Sequence, residues 1–156
     1  MSDQGTDFRV VDPSSAPARW AMEQYFGEIS ARFGFEVGTA LDDAVAAYSP
    51  PCGVFVLAGP VDAPLTCGAV QFLDDDRGEV KRMWVSPNAR GRGLARALLG
   101  HLEAVIVAHG RSESLLDTNS ALTPAVSLYE SAGYRSVPDY NGNPDADVWF
   151  AKRLRE

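Results

Sequence analysis

The sequence predicts one α/β domain in which short strands and amphipathic helices alternate along the chain. Its 156 residues, of which 46% are hydrophobic, are enough for one core. Apolar residues recur at helical spacing in some segments and form short continuous runs in others. No internal repeat, low-complexity tract or long linker interrupts them. Residues 1–156 are therefore interpreted as a single domain, with a mobile start over residues 1–7.

Ten elements are predicted, and residues that start or stop regular structure bound them. In order they are a strand at 8–11, a helix ending at 33, a helix at 40–48, strands at 53–58, 66–73 and 78–85, a helix at 91–108, a strand at 115–117, a helix ending at 133 and a strand at 148–151. Capping side chains at residues 12–15 precede the first helix, and Pro50 and Pro51 follow the second. A polar turn at residues 74–77 joins two strands as an antiparallel hairpin.

The second half of the chain is organised around the long helix at residues 91–108. Five apolar residues give this helix one continuous stripe: Leu94, Leu98, Leu102, Val105 and Ile106. Gly110 is expected to stop the helix. Ser120 or Thr123 can cap the next helix, which is expected to end at Gly133.

The chain is acidic in total and basic in one place. Its net charge of -7 argues against general affinity for nucleic acid, which requires a surplus of lysine and arginine. Residues 77–96 nevertheless carry six basic side chains and one acidic side chain, Glu79. This segment is either a solvated face or a site for an anion. Residues 1–76 carry three basic and twelve acidic side chains, which either attract a cationic amine or serve solubility.

Other sequence features exclude several classes of protein. No apolar run reaches the roughly 18 residues of a membrane span, and the first residues do not resemble a secretory signal, so a cytoplasmic protein is expected. Cys52 and Cys67 lie in apolar segments and are expected to be buried, reduced thiols. His101 and His109 are eight residues apart, too far for the four-residue spacing of a shared metal site. No metal is therefore expected.

The basic segment combines a strand, a short turn and a glycine-rich helix start. The first N–H groups of a helix lack partners and carry about half a positive charge, so they suit a pyrophosphate. Gly91 and Gly93 would let the backbone approach the phosphates, and Arg90, Arg92 and Arg96 would add charged contacts. The Walker motif fits worse because Gly-Lys-Ser/Thr is absent, and the dinucleotide fingerprint needs a small residue in place of Arg96.

Two segments carry a resemblance to a known family. Residues 90–95, Arg-Gly-Arg-Gly-Leu-Ala, resemble the Arg/Gln-x-x-Gly-x-Gly/Ala signature of the GCN5-related N-acetyltransferase (GNAT) superfamily. Asn119 and residues 128–134, Leu-Tyr-Glu-Ser-Ala-Gly-Tyr, resemble its second signature. The resemblance runs from about residue 64 to the C-terminus. It implies a mixed, mostly antiparallel sheet flanked by helices, with a V-shaped split between two central strands that admits the pantetheine arm.

The same resemblance implies acetyl-CoA as the acetyl donor. The backbone of residues 83–85 would hydrogen-bond the pantetheine arm and supply an N–H group to the thioester oxygen. Residues 90–95 would surround the pyrophosphate, and Asn119 would bind the pantetheine through its amide. The implied cofactor-binding residues are Met83, Trp84, Val85, Arg90, Gly91, Arg92, Gly93, Leu94, Ala95 and Asn119.

Two side chains are candidates for proton transfer. Tyr129 occupies the family's general-acid position, and a phenol with an ordinary pKa near 10 can donate to a departing thiolate. A core aromatic residue would fit the local pattern equally well. Glu79 lies six residues before Val85, the offset of the base in the family's histone acetyltransferases. Strand alternation places it on one face with Lys81, Met83 and Val85, although an exposed glutamate at a hairpin start fits too.

The acceptor is expected to be the primary amine of a small molecule, amino-acid-like or other. By resemblance, its site is formed by residues 14–48 and by the loop at residues 137–146, where Tyr140 is a candidate substrate contact. The alternatives are acetylation of protein or peptide chain ends, and a non-catalytic acetyl-CoA-binding regulatory module. The resemblance is also compatible with a homodimer, which the sequence leaves open.

Overall fold

The computed structural model describes residues 7–34 and 40–155. Within these residues the chain forms seven strands and four α-helices. They are β1 (Arg9–Val11), α1 (Ala16–Phe33), α2 (Ala40–Ala47), β2 (Gly53–Ala58), β3 (Thr66–Phe72), β4 (Arg77–Val85), α3 (Leu94–Ala108), β5 (Glu113–Thr118), α4 (Thr123–Ser131), β6 (Arg135–Val137) and β7 (Val148–Arg153). The predicted mobile start lies outside the described residues, except for Asp7, which is exposed. Residues 35–39 of the predicted acceptor segment lie outside them as well.

The strands form one sheet in the order β1-β2-β3-β4-β5-β7-β6. Neighbouring strands are antiparallel, except that β4 and β5 run parallel. The pairing of β4 with β5 covers three residues of each strand, 77–79 and 113–115. Beyond these residues β4 stays with β3 and β5 stays with β7, so the two central strands diverge. The predicted mixed sheet with a V-shaped split is confirmed.

Two apolar cores cover the two faces of the sheet. Along β2, Val54 and Val56 belong to the core against α3, whereas Phe55 and Leu57 belong to the core against α1 and α2. This alternation is expected for a strand that is buried on both faces. All five residues of the predicted stripe on α3 are buried. The sequence pattern therefore identified the side of α3 that packs on the sheet.

The start of α3 differs from the prediction. The helix begins at Leu94, three residues later than expected, because Gly91 and Gly93 have φ angles of +82° and +77°. A right-handed helix excludes these angles, which glycine adopts without a steric penalty. Gly110, with φ of +84°, follows the helix end and confirms the predicted stop.

Three further expectations were wrong or incomplete. Cys67 is buried as expected, but Cys52 is exposed in the turn that precedes β2. The N-cap of α4 is Leu122, without a side-chain cap, because the hydroxyl of Ser120 donates to Asp147 instead. The short strand β6 was not predicted, since its first two residues are exposed and it has no apolar run.

The apolar face predicted for α1 is only partly buried in the core. Met22 is buried, whereas Tyr25, Phe26, Ile29 and Phe33 are partly exposed. The N-terminal half of α1 packs on the sheet, and its C-terminal half borders open space. None of the helices in the described part of the chain combines the length and apolar character needed to cross a membrane.

Candidate active site

The divergence of β4 from β5 opens a cleft beside the start of α3. A cavity of about 450 Å³ occupies this cleft, and we call it the cofactor cavity. Its lining residues are Met83, Trp84, Val85, Ala89, Arg90, Gly91, Gly93, Leu94, Ala95, Arg96, Pro124, Ala125, Leu128 and Tyr129. They include eight of the ten predicted cofactor-binding residues. Beyond Glu79, β4 has no strand partner on this side among the described residues. The backbone groups that point away from β3 therefore lack partners in the sheet, although the carbonyl oxygen of Val85 accepts from Arg90.

The turn before α3 has the form that a bound diphosphate requires. A Cβ atom built on Gly91 or Gly93 would meet no atom within 4 Å, so both glycines border open space. No side chain caps the N-terminus of α3, whose first N–H groups lack partners within the helix. The partial positive charge at this end attracts an anion. The residues present therefore fit a pyrophosphate group.

Arg90, beside this turn, is held in place by contacts with β4 and α1. Arg90 donates from Nε to the carbonyl oxygen of Val85 at 2.9 Å and forms an ion pair with Glu28 at 2.6 Å. Glu28 also accepts a hydrogen bond from the indole nitrogen of Trp84 at 3.0 Å. Helix α1 is thereby tied to the cofactor cavity through one carboxylate.

Two predicted cofactor-binding residues do not line this cavity. Arg92 is exposed, and its guanidinium donates to the carbonyl oxygen of Asn88 at 2.9 Å. Asn119 accepts a hydrogen bond from the backbone of Ala121 at 2.9 Å, so its amide oxygen shapes the turn before α4. The predicted contacts of both residues with the cofactor stay predictions.

Two further cavities lie between α1, β4 and α4, and we call them the acceptor cavities because residues of the segments predicted to bind the acceptor line them. The smaller, of about 170 Å³, is lined by Tyr25, Ile29, Val80, Lys81, Arg82, Met83, Asp117, Thr118, Leu122, Ala125, Tyr129 and Asn143. The larger, of about 650 Å³, is lined by Tyr25, Glu28, Ile29, Ala31, Arg32, Met83, Trp84, Val85, Arg90, Leu122, Pro124 and Ala125. Met83 and Ala125 line both of these cavities and the cofactor cavity.

Tyr129 lies where the cofactor cavity meets the smaller acceptor cavity. Its ring packs between Tyr134 and Phe150, and its hydroxyl lies 3.9 Å from the sulfur of Met83. Burial raises the pKa of the Tyr129 hydroxyl above its ordinary value, because the charged phenolate would lose its hydration. The hydroxyl is therefore protonated at pH 7 and faces the junction of the two cavities.

Glu79 is buried, in contrast to the exposed glutamate that the hairpin position also allowed. Its Oε2 atom accepts hydrogen bonds from the Tyr140 hydroxyl at 2.7 Å and the Asn141 amide at 2.9 Å. Its Oε1 atom pairs with Lys81 at 3.4 Å. Glu79 does not line any of the three cavities. The carboxylate fixes the loop between β6 and β7 against the centre of the sheet.

Asp117, which the sequence analysis did not single out, lines the smaller acceptor cavity. Its Oδ2 atom accepts from the amides of Asn141 at 2.5 Å and Asn143 at 3.3 Å. The Asn141 amide nitrogen thus contacts both Asp117 and Glu79. A carboxylate directly after the apolar pair at residues 115–116 was the available signal, since β5 ends at the split in the sheet.

A β-bulge changes which residues of β4 share a face. Lys81 pairs with Ala69 and Trp84 pairs with Cys67, so Arg82 and Met83 together face Gly68. Met83 consequently packs on the core against α3, and the prediction that it shares a face with Lys81 was wrong. Arg82 has φ of +60°, a conformation that costs a non-glycine residue about 1–2 kcal/mol.

The described residues contain no group of three or more side chains that could hold a metal ion. His101 stacks on Phe8, and His109 contacts the carbonyl oxygen of Val105. Both histidines lie outside the three cavities.

Comparisons with known proteins identify sequences that this chain resembles. The sequence model of the family described as "Acetyltransferase (GNAT) family" matches residues 17–134. An uncharacterised N-acetyltransferase of Schizosaccharomyces pombe is 31% identical over 134 residues, which cover 84% of this chain and 82% of the relative. Human N-acetylaspartate synthetase is 32% identical over 122 residues, which cover 74% of this chain and 40% of that protein.

A solved structure gives an independent comparison of the fold. The yncA protein of Salmonella typhimurium, whose structure contains its cofactor acetyl-CoA, superposes with a TM-score of 0.73. The superposition covers 98% of this chain and 96% of that chain, at 13% sequence identity. At this identity the likeness shows a shared fold.

Proposed function

Because the chain belongs to the acetyltransferase (GNAT) family and is an acetyl-CoA-dependent N-acetyltransferase, we propose that it acetylates the primary amine of a small, amino-acid-like molecule. One observation carries the proposal. The cofactor cavity and both acceptor cavities share Met83 and Ala125, and Tyr129 lines the cofactor cavity and the smaller acceptor cavity. We propose the same boundaries, residues 1–156, for the domain, since strands of one sheet span residues 9–153.

The cofactor cavity supplies contacts of the kinds that acetyl-CoA needs. When bound, acetyl-CoA provides an acetyl thioester, whose C–S bond breaks as the C–N bond to the amine forms. The turn at Gly91 and Gly93 and the start of α3 would hold the diphosphate. The backbone at residues 83–85, on the open edge of β4, would hold the pantetheine and polarise the thioester oxygen. Arg92 and Asn119 are proposed as further contacts.

Tyr129 is proposed as the residue that protonates the departing sulfur. Its hydroxyl lies near Met83, which lines the cofactor cavity, and burial keeps it neutral. A neutral phenol can donate a proton and does not repel a developing thiolate. The proton then passes from the Tyr129 oxygen to the sulfur, and solvent restores it.

The proton lost by the amine needs an acceptor, and two carboxylates are available. At pH 7 an amine with the pKa of a peptide N-terminus, near 7.8, loses its proton for about 1 kcal/mol, and a Lys-like amine with a pKa near 10.4 does so for about 4.6 kcal/mol. The amine of a free amino acid lies between these limits, and a carboxylate that receives the proton lowers the barrier. Asp117 lines the acceptor cavity, whereas Glu79 is separated from it and linked to Asp117 through Asn141. We therefore propose that Asp117 accepts the proton from the amine. Glu79, the base predicted from the sequence, would act on Asp117 through the Asn141 amide, which donates to both carboxylates.

A small acceptor agrees with the way the site is enclosed. Helix α1, strand β4, the end of β5, Leu122 with α4, and the loop residue Asn143 surround the smaller acceptor cavity. The name of the human relative states that its product is N-acetylaspartate, an acetylated amino acid. This name supports an amino-acid-like acceptor and does not identify which one.

Mass spectrometry of reactions with acetyl-CoA tests the proposal. The purified chain is incubated with a panel of amino acids and other primary amines, and in parallel with peptides that have free N-termini. We expect acetylation of at least one small amine and none of the peptides. Acetylation of peptides alone would favour the chain-end alternative, and no product with either panel would favour a regulatory module.

A further inference from the structure

The bulge in β4 directs two consecutive cations toward the α1 side of the sheet. Lys81 and Arg82 both line the smaller acceptor cavity, although neighbouring residues in a regular strand point to opposite faces. Arg82 reaches this position only through its positive φ. A strained backbone at a cavity wall is the kind of feature that function maintains.

The guanidinium of Arg82 rests against three aromatic rings. Its central carbon lies 4.9 Å from the ring centroid of Phe26, 5.8 Å from that of Tyr48 and 5.9 Å from that of Tyr25. These contacts fix the orientation of a planar cation without neutralising its charge. Its Nε atom is buried, and no partner for it exists among residues 7–34 and 40–155.

Of the two cations that line the smaller acceptor cavity, only Lys81 is paired with a carboxylate in the described part of the chain. Lys81 is paired with Glu79, so its charge is balanced within the chain. Arg82 forms no ion pair with a carboxylate in the described residues. Across the cleft, Asp117 carries the opposite charge on the wall formed by β5. The cavity therefore presents one uncompensated cation and one anion on facing walls.

On the premise of the proposed function, we infer that the acceptor amine carries a carboxylate and that Arg82 binds it. A guanidinium binds a carboxylate through two parallel hydrogen bonds, which suits a cation whose plane is fixed. The amine then faces Asp117 and the junction with the cofactor cavity. The cavity of about 170 Å³ suits a small amino acid, with Arg82 as the residue that selects the charged end.

Paired substrates test this inference directly. The acetylation of amino acids is compared with that of their primary amides, which keep the amine and lose the carboxylate charge. Wild-type chain is expected to favour the acids in kcat/KM by about 10- to 100-fold, the range of a charged hydrogen bond. In Arg82→Met this ratio falls toward one, chiefly through a higher KM for the acids. Arg135→Met, a distant exposed arginine paired with Glu113 at 3.6 Å, serves as the matched control and keeps the wild-type ratio.

The outcomes separate this inference from the function on which it rests. Equal or better acetylation of the amides by wild type, or an unchanged ratio in Arg82→Met, would overturn the role of Arg82 alone. No acetylation of any amine would contradict the proposed function. Calorimetry with acetyl-CoA verifies that Arg82→Met is folded. Should that variant be unfolded, inhibition of the wild-type chain tests the role of Arg82. Carboxylic acids that lack the amine are then expected to compete with the amine substrate, and their neutral amides are expected not to inhibit. Inhibition by neither class would overturn the role of Arg82.

Discussion

The two halves of the proposed active site are built in different ways. The cofactor cavity takes most of its lining from a continuous stretch, residues 83–96, with one side completed by α4. The acceptor cavities take theirs from α1, β4, the turn residue Arg90, the end of β5, Leu122 and α4, and the loop after β6. A site made mostly from one stretch of chain can be predicted from local spacing, whereas a site made from segments that are distant in sequence depends on how the sheet brings them together.

The largest effect is expected at the cofactor turn. Gly93→Glu should abolish acetyl-CoA binding, because it places bulk and negative charge in the open space beside the N-terminus of α3 and requires a positive φ. Gly100→Glu adds the same side chain to an exposed position on the same helix, where a Cβ atom also meets no neighbour. Calorimetry should give wild-type affinity for Gly100→Glu and no heat for Gly93→Glu. Equal affinities would contradict the placement of the diphosphate.

The next effect lies at the junction of the cavities. Tyr129→Phe should lower kcat by roughly 10²-fold while leaving the affinity for acetyl-CoA nearly unchanged, since it removes only the proton donor. Tyr134→Phe is the control: it loses hydrogen bonds to Ser114 and Glu103, which costs about 1–2 kcal/mol of stability. Turnover should survive in the control. Wild-type turnover in Tyr129→Phe would remove this residue from the mechanism.

A smaller effect distinguishes the two carboxylates. Asp117→Asn should lower turnover by roughly tenfold at pH 7, and the defect should shrink as the pH rises through the pKa of the acceptor amine, above which the amine is already neutral. Glu79→Gln should cost about 1 kcal/mol of stability, because it loses the ion pair with Lys81. Its turnover defect should not depend on pH. A pH-dependent defect in Glu79→Gln alone would make Glu79 the base, as the family resemblance implied.

The smallest expected effect concerns pH and Tyr129. Burial disfavours the phenolate and so raises the pKa of this hydroxyl, which therefore stays protonated above the ordinary value near 10. Between pH 7 and 10, kcat should show no decline that depends on Tyr129. Profiles of wild type and Tyr129→Phe should consequently be parallel over this range. A descending limb that the variant lacks would show that the hydroxyl ionises at its usual pKa or below.

The same contrast explains what could be predicted from the sequence. Helical and strand periodicity predicted ten of the eleven helices and strands in the described residues, and the glycine-arginine run predicted an open turn before α3. The exposed strand β6 had no apolar signal. Strand alternation failed at Arg82 because a bulge inserts an extra residue opposite Gly68, and bulges leave no clear mark in a single sequence.

The acceptor cavities could not be predicted from local sequence patterns for a related reason. Asp117 lines a cavity only because β5 diverges from β4 beside it, and its contact with Asn141 joins residues 24 positions apart. The apolar face of α1 predicted a core, yet Tyr25 and Ile29 line a cavity. Periodicity identifies which residues avoid water and does not identify which of them a ligand will cover.

A calorimetric titration of the wild-type chain with acetyl-CoA tests most directly whether the turn before α3 holds coenzyme A. We expect a saturable isotherm with one site per chain, abolished in Gly93→Glu and retained in Gly100→Glu. An absence of heat with the wild-type chain at millimolar acetyl-CoA would contradict the cofactor site and every step proposed from it.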